Sequence, residues 1–256
     1  MYNNNIPIIF NSPKNSEYID IYFIHDVHYG SVQFNPNKYN NLKNKILSDP
    51  NTYVMFIGDL IENAIPNSKS SVWEQNKHPQ EQLEWATQQL TDLSDKTIAI
   101  VSGNHCSNRT TKTCGIHPLY EACLIAGIGD KYRDIYAICD IGVGINAHKK
   151  QTHYFGQIMH KSKDFKNYCS ADFTDGIDFF AYGHDHEPKD RPRAKLVYDS
   201  HNKTISKRNV ETIDCGSFLD YGGYGASSAY RPQSDKMYSL RIFGNKKSMQ
   251  TTGFYL

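Results

Sequence analysis

Residues 53–59 read YVMFIGD, an apolar run that ends in a glycine and a carboxylate. A short run rich in β-branched and aromatic residues is typical of a buried strand in a sheet that is covered on both faces. The run predicts a strand over residues 52–57, with Asp59 just beyond its carboxyl end. Because open α/β sheets bind ligands at the carboxyl ends of their strands, Asp59 is a candidate site residue. The alternative is that Asp59 caps the amino end of a helix.

The segments on either side alternate between strand and helix patterns. Strands are expected at residues 18–24 and 97–101. Apolar residues at helical spacing predict helices over residues 36–47 and 79–93, and a further helix follows His117. This β-α-β-α-β rhythm predicts a largely parallel inner sheet.

Beyond residue 126 the apolar periodicity is closer to two, which is typical of strands. The expected strands are residues 135–139, 142–147, 154–160, 177–182, 196–197, 204–213, 237–243 and 251–255. They predict a second sheet built mostly from the C-terminal half. The chain shows no repeat and no linker, so we expect one domain over residues 1–256, with residues 221–225 as its most mobile loop.

Composition limits the functional classes. The net charge of the 256-residue chain is +1, from 28 Lys and Arg against 27 Asp and Glu, so no global field recruits nucleic acid or an anionic membrane. Six cysteines are scattered without a C-x-x-C pair and are expected to be reduced thiols. Because no leader or membrane-spanning run is apparent, we expect a soluble cytoplasmic protein, in the host cytoplasm if a virus encodes it.

Metal-competent residues follow four of the predicted strands. They are Asp26 and His28, Asp59, Asn104 and His105, and His184 and His186. Side chains two residues apart on a strand point to the same face, so each D-x-H or H-x-H pair is predicted to chelate one ion. A lone histidine is more often a satisfied polar residue, but several at successive strand ends indicate a shared site.

The order D-x-H, G-D, G-N-H, single His and G-H-x-H resembles the calcineurin-like metallophosphoesterase family over nearly the whole chain. The resemblance implies a four-layer α-β-β-α sandwich of two mixed sheets, with a two-metal centre at one edge. It also implies the ligand sets. Asp26, His28 and His186 would hold one ion, Asn104, His160 and His184 the other, and Asp59 would bridge them.

The chemistry of these residues agrees with that implication. Carboxylate, amide and imidazole ligands suit two divalent ions such as Mn, Fe or Zn, of which we favour Mn. Two ions about 3.5 to 4 Å apart can hold a shared hydroxide for attack on a phosphoester. His105 is expected to protonate the leaving group, a role worth about 10²- to 10⁴-fold, unless it only orients Asn104. Asp59 and His105 are therefore the predicted catalytic residues.

Some positions depart from the family pattern. Cys106 stands where an acid commonly follows G-N-H, so the orientation of His105 depends on a carboxylate from elsewhere, with Glu62 and Asp185 as the candidates. His25 stands where glycine is frequent, and we expect it to support a ligand rather than to be one.

The single-histidine motif is the least distinctive. His160 ends the more convincing apolar strand and is preferred over His148 and His153.

The nearest resemblance is to compact stand-alone members encoded by bacteriophages. The protein-phosphatase loop G-D-x-x-D-R-G is absent, because residues 58–63 read GDLIEN. Arg109, Tyr221 and Arg231 are predicted to bind substrate. Residues 216–224 and 230–232 are expected either to wall the metal edge or to form an ordinary C-terminal loop.

Three functions follow from these observations. The first is a phosphodiesterase that acts on nucleic acid or nucleotides, with a preference for diesters over monoesters. The second is a hydrolase of small or cyclic nucleotides, or a phosphomonoesterase. The third is a metal-binding scaffold without activity. The expected partner is a phosphoester substrate, with no membrane, and the sequence does not predict the oligomeric state.

Overall fold

Two mixed β-sheets organise the protein, described here by a computed structural model of residues 5–66, 68, 71–160, 174–229 and 231–256. The strands are β1 (Ile8–Asn11), β2 (Tyr18–Ile24), β3 (Thr52–Ile57), β4 (Thr97–Val101), β5 (Tyr132–Arg133), β6 (Tyr136–Val143), β7 (Thr152–Met159), β8 (Phe179–Tyr182), β9 (Lys189–Asp190), β10 (Arg193–Asp199), β11 (Thr204–Asp214), β12 (Lys236–Phe243) and β13 (Met249–Tyr255). One sheet has the order β13-β12-β2-β3-β4-β5. The other has the order β1-β6-β7-β8-β11-β10, with β9 pairing with β11.

The main core lies between the two sheets. Every residue of β3 is buried, as the opening run predicts for a central strand. Phe23 of one sheet packs near Phe179 of the other, with ring centroids 6.4 Å apart. One continuous apolar cluster contains residues from both sheets, which is the arrangement expected of a sandwich.

Helices flank the sheets. They are α1 (Pro36–Ser48), α2 (Pro79–Asp92), α3 (Arg109–Cys114), α4 (Pro118–Ile125) and α5 (Gly223–Ser227). The Asn35 side chain caps α1 by accepting hydrogen bonds from the amides of Asn37 and Lys38. Proline occupies the first turn of α1, α2 and α4, where its missing N–H costs no helical hydrogen bond. The predicted α/β fold with two mixed sheets is confirmed.

Several details differ from the sequence prediction; residues 223–227, which overlap the expected mobile loop at 221–225, form helix α5. The final hairpin, β12 and β13, joins the first sheet through antiparallel pairing with β2 and is not part of the second sheet. Strand β1 lies before residue 18, where no strand was predicted, and it pairs with β6. Residues 136–143 form one strand where two were expected.

The strand directions define one edge for the site. Strands β2, β3 and β4 are parallel to one another, and so are β7 and β8. The loops that follow these five strands carry the predicted ligands, so their carboxyl ends bring the ligands together.

Two other features concern the described residues only. No helix among them combines the length and apolar character needed to cross a membrane. Five cysteines, Cys106, Cys114, Cys123, Cys139 and Cys215, are free thiols. Cys169 lies outside the described residues.

Candidate metal centre

The first group of predicted ligands contains Asp26, His28 and His186, and each offers a ligand atom within 4.8 Å of the others. Oδ1 of Asp26 lies 3.2 Å from Nε2 of His186 and 3.6 Å from Nε2 of His28. Within the described part of the chain, neither Asp26 Oδ1 nor His28 Nε2 has a hydrogen bond, although both atoms are buried. Buried polar atoms rarely lack a partner, so this group fits a cation.

The second group contains Asp59, His160 and His184, which also lie within 4.8 Å by their ligand atoms. Oδ2 of Asp59 lies 2.9 Å from Nε2 of His160. The same nitrogen is 3.1 Å from Oδ1 of Asn104, so the amide ligand predicted from the G-N-H motif also reaches this group.

Asp59 lies between the two groups. Besides belonging to the second, it forms a third cluster with His28 and His105, again within 4.8 Å. One carboxylate is therefore close to ligand atoms of both predicted ions. No helix begins at Asp59, which is 1% exposed; its Oδ1 accepts from the amide of His105 at 2.7 Å, and its Oδ2 faces these imidazoles.

The backbone at the predicted ligands is unusual. Asp26, His28, Asp59, His184 and His186 all have left-handed φ angles, between +48° and +80°. They therefore lie in loops beyond the strands, and strand alternation is not what aims their side chains. A non-glycine residue in this region costs about 1 to 3 kcal/mol, and such strain concentrates at functional sites.

Two motif glycines make room for the ligands. At Gly58, with φ of +76°, a Cβ atom would lie 2.6 Å from the His160 ring. At Gly103 a Cβ atom would overlap Oδ1 of Asp59. The glycines before Asp59 and Asn104 thus allow neighbouring loops to approach closely.

Hydrogen bonds orient the ligand imidazoles. Nδ1 of His160 donates to the carbonyl of Ile57 at 2.7 Å, and Nδ1 of His28 contacts Oε2 of Glu62 at 2.9 Å. Each bond leaves Nε2 facing the carboxylates, which is the arrangement common to histidines that bind metals.

His25 supports Asp26. Its Nε2 accepts a hydrogen bond from the Cys215 amide at 3.1 Å, so Nδ1 carries the proton and donates it to Oδ2 of Asp26 at 2.5 Å. Burial lowers the pKa of His25, although Asp26 acts in the opposite direction. His25 is thus a neutral donor beside the ligand, as its position in the motif predicts.

Glu62, one of the two carboxylates expected to orient His105, contacts that ring. Its Oε2 lies 3.3 Å from Nδ1 of His105, and its carbonyl lies 3.1 Å from the same nitrogen. Burial acts to raise the pKa of Glu62, but hydrogen bonds with His105 and His28 hold it well below the ordinary value. Cys106 is buried and its Sγ accepts from the Leu60 amide at 3.0 Å, while burial raises its thiol pKa.

Of the three predicted substrate residues, the structure brings Arg109 to the centre. Its Nη2 lies 3.0 Å from Nε2 of His105, and its Nη1 donates to the Glu62 carbonyl at 2.8 Å. Tyr221 is 55% exposed and follows Asp220, whose amide donates to the carbonyl of Gln33. Arg231 is exposed, and no contact recorded among the described residues links it to the centre. Lys161 and Tyr230, which adjoin predicted motifs, lie outside those residues.

Neither competitor of His160 reaches the metal groups. His153 contacts Asp140 on the surface at 2.6 Å, and His148 lies in the turn after β6. The sequence interpretation gave no role to Asn63, whose Nδ2 donates to the carbonyl of His105 at 2.9 Å.

The carboxylates and imidazoles shift each other's proton affinity. Burial acts to raise the pKa values of Asp26 and Asp59, but neighbouring histidines hold both below the ordinary value. Burial acts to lower the pKa values of His28 and His160, but nearby carboxylates raise them to about 10 and about 9. In the absence of a metal, the carboxylates therefore favour the protonated forms of His28 and His160.

Comparisons with known proteins give structural similarity only. No family model matches the chain, and no curated protein matches its sequence. A conserved uncharacterized protein from Streptococcus pneumoniae TIGR4, a predicted phosphoesterase, is 11% identical with a TM-score of 0.41, over 93% of this chain and 90% of that one. The calcineurin-like phosphoesterase YfkN from Bacillus subtilis is 10% identical with a TM-score of 0.42, over 94% and 90%. Vps29 from Entamoeba histolytica, complexed with zinc, is 14% identical with a TM-score of 0.39, over 92% and 98%. Similarity at this level does not assign a function, so the function rests on the site residues.

Proposed function

We propose that the protein is a two-metal phosphoesterase of the calcineurin-like family that cleaves phosphodiesters of nucleic acids or nucleotides. The observation that carries the proposal is the pair of carboxylate and imidazole groups with Asp59 between them. The unpaired Asp26 Oδ1 and His28 Nε2 support it, because a cation would satisfy both atoms.

The donor set indicates which metals fit. Asp26, His28 and His186 would hold one ion, His160, His184 and Asn104 the other, and Asp59 would contact both. These oxygen and imidazole ligands suit Mn, Fe or Zn, and Mn is our first choice. When bound, such ions polarise phosphoryl oxygens and lower the pKa of water.

The protein residues would divide the remaining tasks. His105 lies beside Asp59, with its Nε2 3.9 Å from Asp59 Oδ2, and would give a proton to the departing oxygen. Glu62 would keep the ring in place through Nδ1. Arg109, which now contacts His105 Nε2, would turn to a phosphate oxygen of the substrate and release that nitrogen for proton transfer.

Diesters are the preferred substrate class for an electrostatic reason. A terminal phosphate carries two negative charges and calls for several cationic side chains, whereas Arg109 is the one cation that the described residues place in the centre. A diester carries one negative charge and needs little beyond the metals.

A substrate panel tests this function. Purified protein loaded with Mn, Fe or Zn is assayed on bis-p-nitrophenyl phosphate, p-nitrophenyl phosphate, single-stranded DNA, RNA and cyclic nucleotides. We expect a higher kcat/KM for the diester than for the monoester. A monoester preference with every metal would refute the diester assignment, preferential cleavage of cyclic nucleotides would favour the small-nucleotide alternative, and no hydrolysis of any substrate would favour the inactive scaffold.

A further inference from the structure

Basic residues are concentrated in one hairpin of an otherwise neutral protein. Residues 189–208 contain seven of the 28 Lys and Arg residues but only two of the 27 Asp and Glu residues. This segment therefore has a net charge of +5, whereas the whole chain has a net charge of +1. The remainder of the chain is net negative, so the positive field is local to the hairpin.

Four of these cations occupy alternate positions in residues 189–195. They are Lys189, Arg191, Arg193 and Lys195, which we call the basic ladder. Lys189 of β9 pairs with Asp214, and Arg193 and Lys195 of β10 pair with Val210 and Arg208, so the two short strands keep the same antiparallel register on β11 on either side of residues 191–192. The Arg191 amide donates to the Thr212 carbonyl at 2.8 Å, so the register continues between β9 and β10. Alternate residues of a regular strand share a face, and the ladder therefore lies on one face of the sheet.

That face is turned away from the main core; on it Arg191 is exposed, Lys189, Arg193 and Lys195 are half-buried, and Lys189 is paired with Glu187. Val210, which pairs with Arg193, is buried in a small cluster with Phe180 and Tyr182, whereas Ile213 lies in the main core between the sheets. The opposite face of the hairpin carries Lys207, whose neighbours Leu196 and Ile205 are exposed. The two faces of one hairpin thus differ in chemistry.

The ladder begins next to the metal centre. Lys189 pairs across the strands with Asp214, whose Oδ1 lies 4.0 Å from Nε2 of His25, the residue that is hydrogen-bonded to Asp26. Alternate residues on a strand are about 6.8 Å apart, so the four cations span about 20 Å along the edge strand of the sheet as described. A row of this kind matches the linear phosphate backbone of an extended nucleic-acid strand.

We propose that the basic ladder binds the sugar-phosphate backbone of a single nucleic-acid strand and guides it to the metal centre. This inference rests on the proposed function and specifies its substrate class as polymeric. A single row of cations along one strand favours a linear polyanion over a membrane, which would call for a broad basic surface. Because the ladder contacts phosphates, the binding is independent of base sequence.

The test compares two variants with the same change in charge. The ladder variant carries Arg191→Gln and Lys195→Gln. The control variant carries Lys203→Gln and Lys207→Gln, which lie in the hairpin turn and on the opposite face. Fluorescence anisotropy measures the affinity of the metal-loaded protein for a labelled phosphorothioate oligonucleotide that resists cleavage. The oligonucleotide is used both as DNA and as 2′-O-methyl RNA, which distinguishes the two kinds of nucleic acid. Vesicles of phosphatidylserine and phosphatidylcholine test for binding to a membrane.

We expect log Kobs of the unaltered protein to fall with log salt at a slope of about −3, since each of four single-strand phosphate contacts contributes about −0.7. The ladder variant should lose about half of this slope and bind roughly 10- to 30-fold more weakly at about 0.1 M salt. The control variant should change less than about threefold, because screening weakens distant charges. Arg191→Lys, which keeps the charge, should bind like the unaltered protein.

Three results would contradict the proposed binding by the basic ladder. The first is absence of oligonucleotide binding by the unaltered protein, and the second is an equal loss of affinity in the ladder and control variants. The third is vesicle binding with the same dependence on Arg191 and Lys195. Thermal unfolding of both variants checks that each is folded. Hydrolysis of bis-p-nitrophenyl phosphate is measured separately on the unaltered protein. Failure of the enzymatic function is thereby distinguished from failure of the ladder.

Discussion

Glu62 connects three groups at the candidate centre, since its carboxylate contacts His28, His105 and Arg109. We predict that Glu62→Gln weakens metal binding at the His28 group by about 10- to 100-fold, because the imidazole loses the partner that orients it. Isothermal titration with Mn²⁺ measures the change. Glu84→Gln, an exposed substitution on α2, is the matched control. Equal affinities of the two variants would show that Glu62 does not orient His28.

His105 is expected to act on the leaving group and not on the metal. We predict that His105→Ala keeps the fold and both ions but loses about 10²- to 10⁴-fold in kcat on diesters with an alkoxide leaving group. Nitrophenyl diesters need little protonation and should lose less. Parallel kinetics with metal analysis measure the two effects. If both substrate classes lose activity equally with metals intact, His105 binds phosphate or has a structural role.

The stability of the metal-free protein should depend on pH through His28 and His160. Their folded pKa values of about 10 and about 9 lie above the ordinary 6.5. The stabilisation is therefore complete below about pH 6.5 and is lost as pH rises through 9 to 10. We predict that Tm falls over that range without metal, and that metal binding near pH 7 releases protons. Titration in buffers of different ionisation enthalpy measures the release, and a buffer-independent heat would contradict it.

The sequence predicts which residues form the site better than it predicts how their side chains are oriented. Strand-end positions predicted that Asp26 and Asp59 share a site, and the family resemblance added His160, whose Nε2 lies 3.9 Å from Asp26 Oδ1 and 2.9 Å from Asp59 Oδ2. Strand alternation, the reason offered for the D-x-H and H-x-H pairs, was wrong, because Asp26, His28, His184 and His186 are left-handed loop residues. Loop dihedral angles depend on contacts between distant segments, such as the Asp59 Oδ1 bond with the His105 amide, which a local pattern does not encode.

At the scale of elements, the final hairpin joins the first sheet beside β2. Arg241 of β12 pairs across the strands with Asp20 of β2, through two bonds of 2.8 Å, and its guanidinium lies 4.0 Å from the centroid of the Tyr18 ring. We predict a coupling energy of about 0.5 to 1 kcal/mol between Asp20 and Arg241, because the bidentate pair is only partly exposed.

A double-mutant cycle with Asp20→Asn and Arg241→Gln, followed by urea unfolding, measures this coupling. The equivalent cycle on the exposed pair Lys77 and Glu81, which are 3.5 Å apart on the surface, should give a smaller value. A coupling energy near zero for Asp20 and Arg241 would show that the pair does not hold the hairpin to the sheet.

The elements themselves were predictable where local signals were strong. β2 and β3 begin and end where apolar periodicity and turn residues place them, and α1 begins after the capping residue Asn35. Sheet membership was less predictable, because pairing joins segments far apart in sequence, as β12 joins β2. The short β1 was missed because its pairing with β6, and not its own pattern, makes it a strand.

At the scale of the whole molecule, charge is distributed unevenly. The net charge of +1 predicts no global field that would recruit nucleic acid. It hides the positive segment of residues 189–208. A sum over the chain carries no positional information, whereas the register of β10 on β11 aligns these charges on one face. The organisation as one domain and the nearness to bacteriophage members remain predictions.

We infer that one protein chain holds two divalent ions with Asp59 between them. Equilibrium dialysis against Mn²⁺ followed by elemental analysis measures the number of bound ions. We expect two ions per chain in the unaltered protein and one in His186→Ala. Asp59→Asn should lose both ions, because one carboxylate offsets the charge of two cations. A single ion per chain that survives the Asp59→Asn substitution would contradict it.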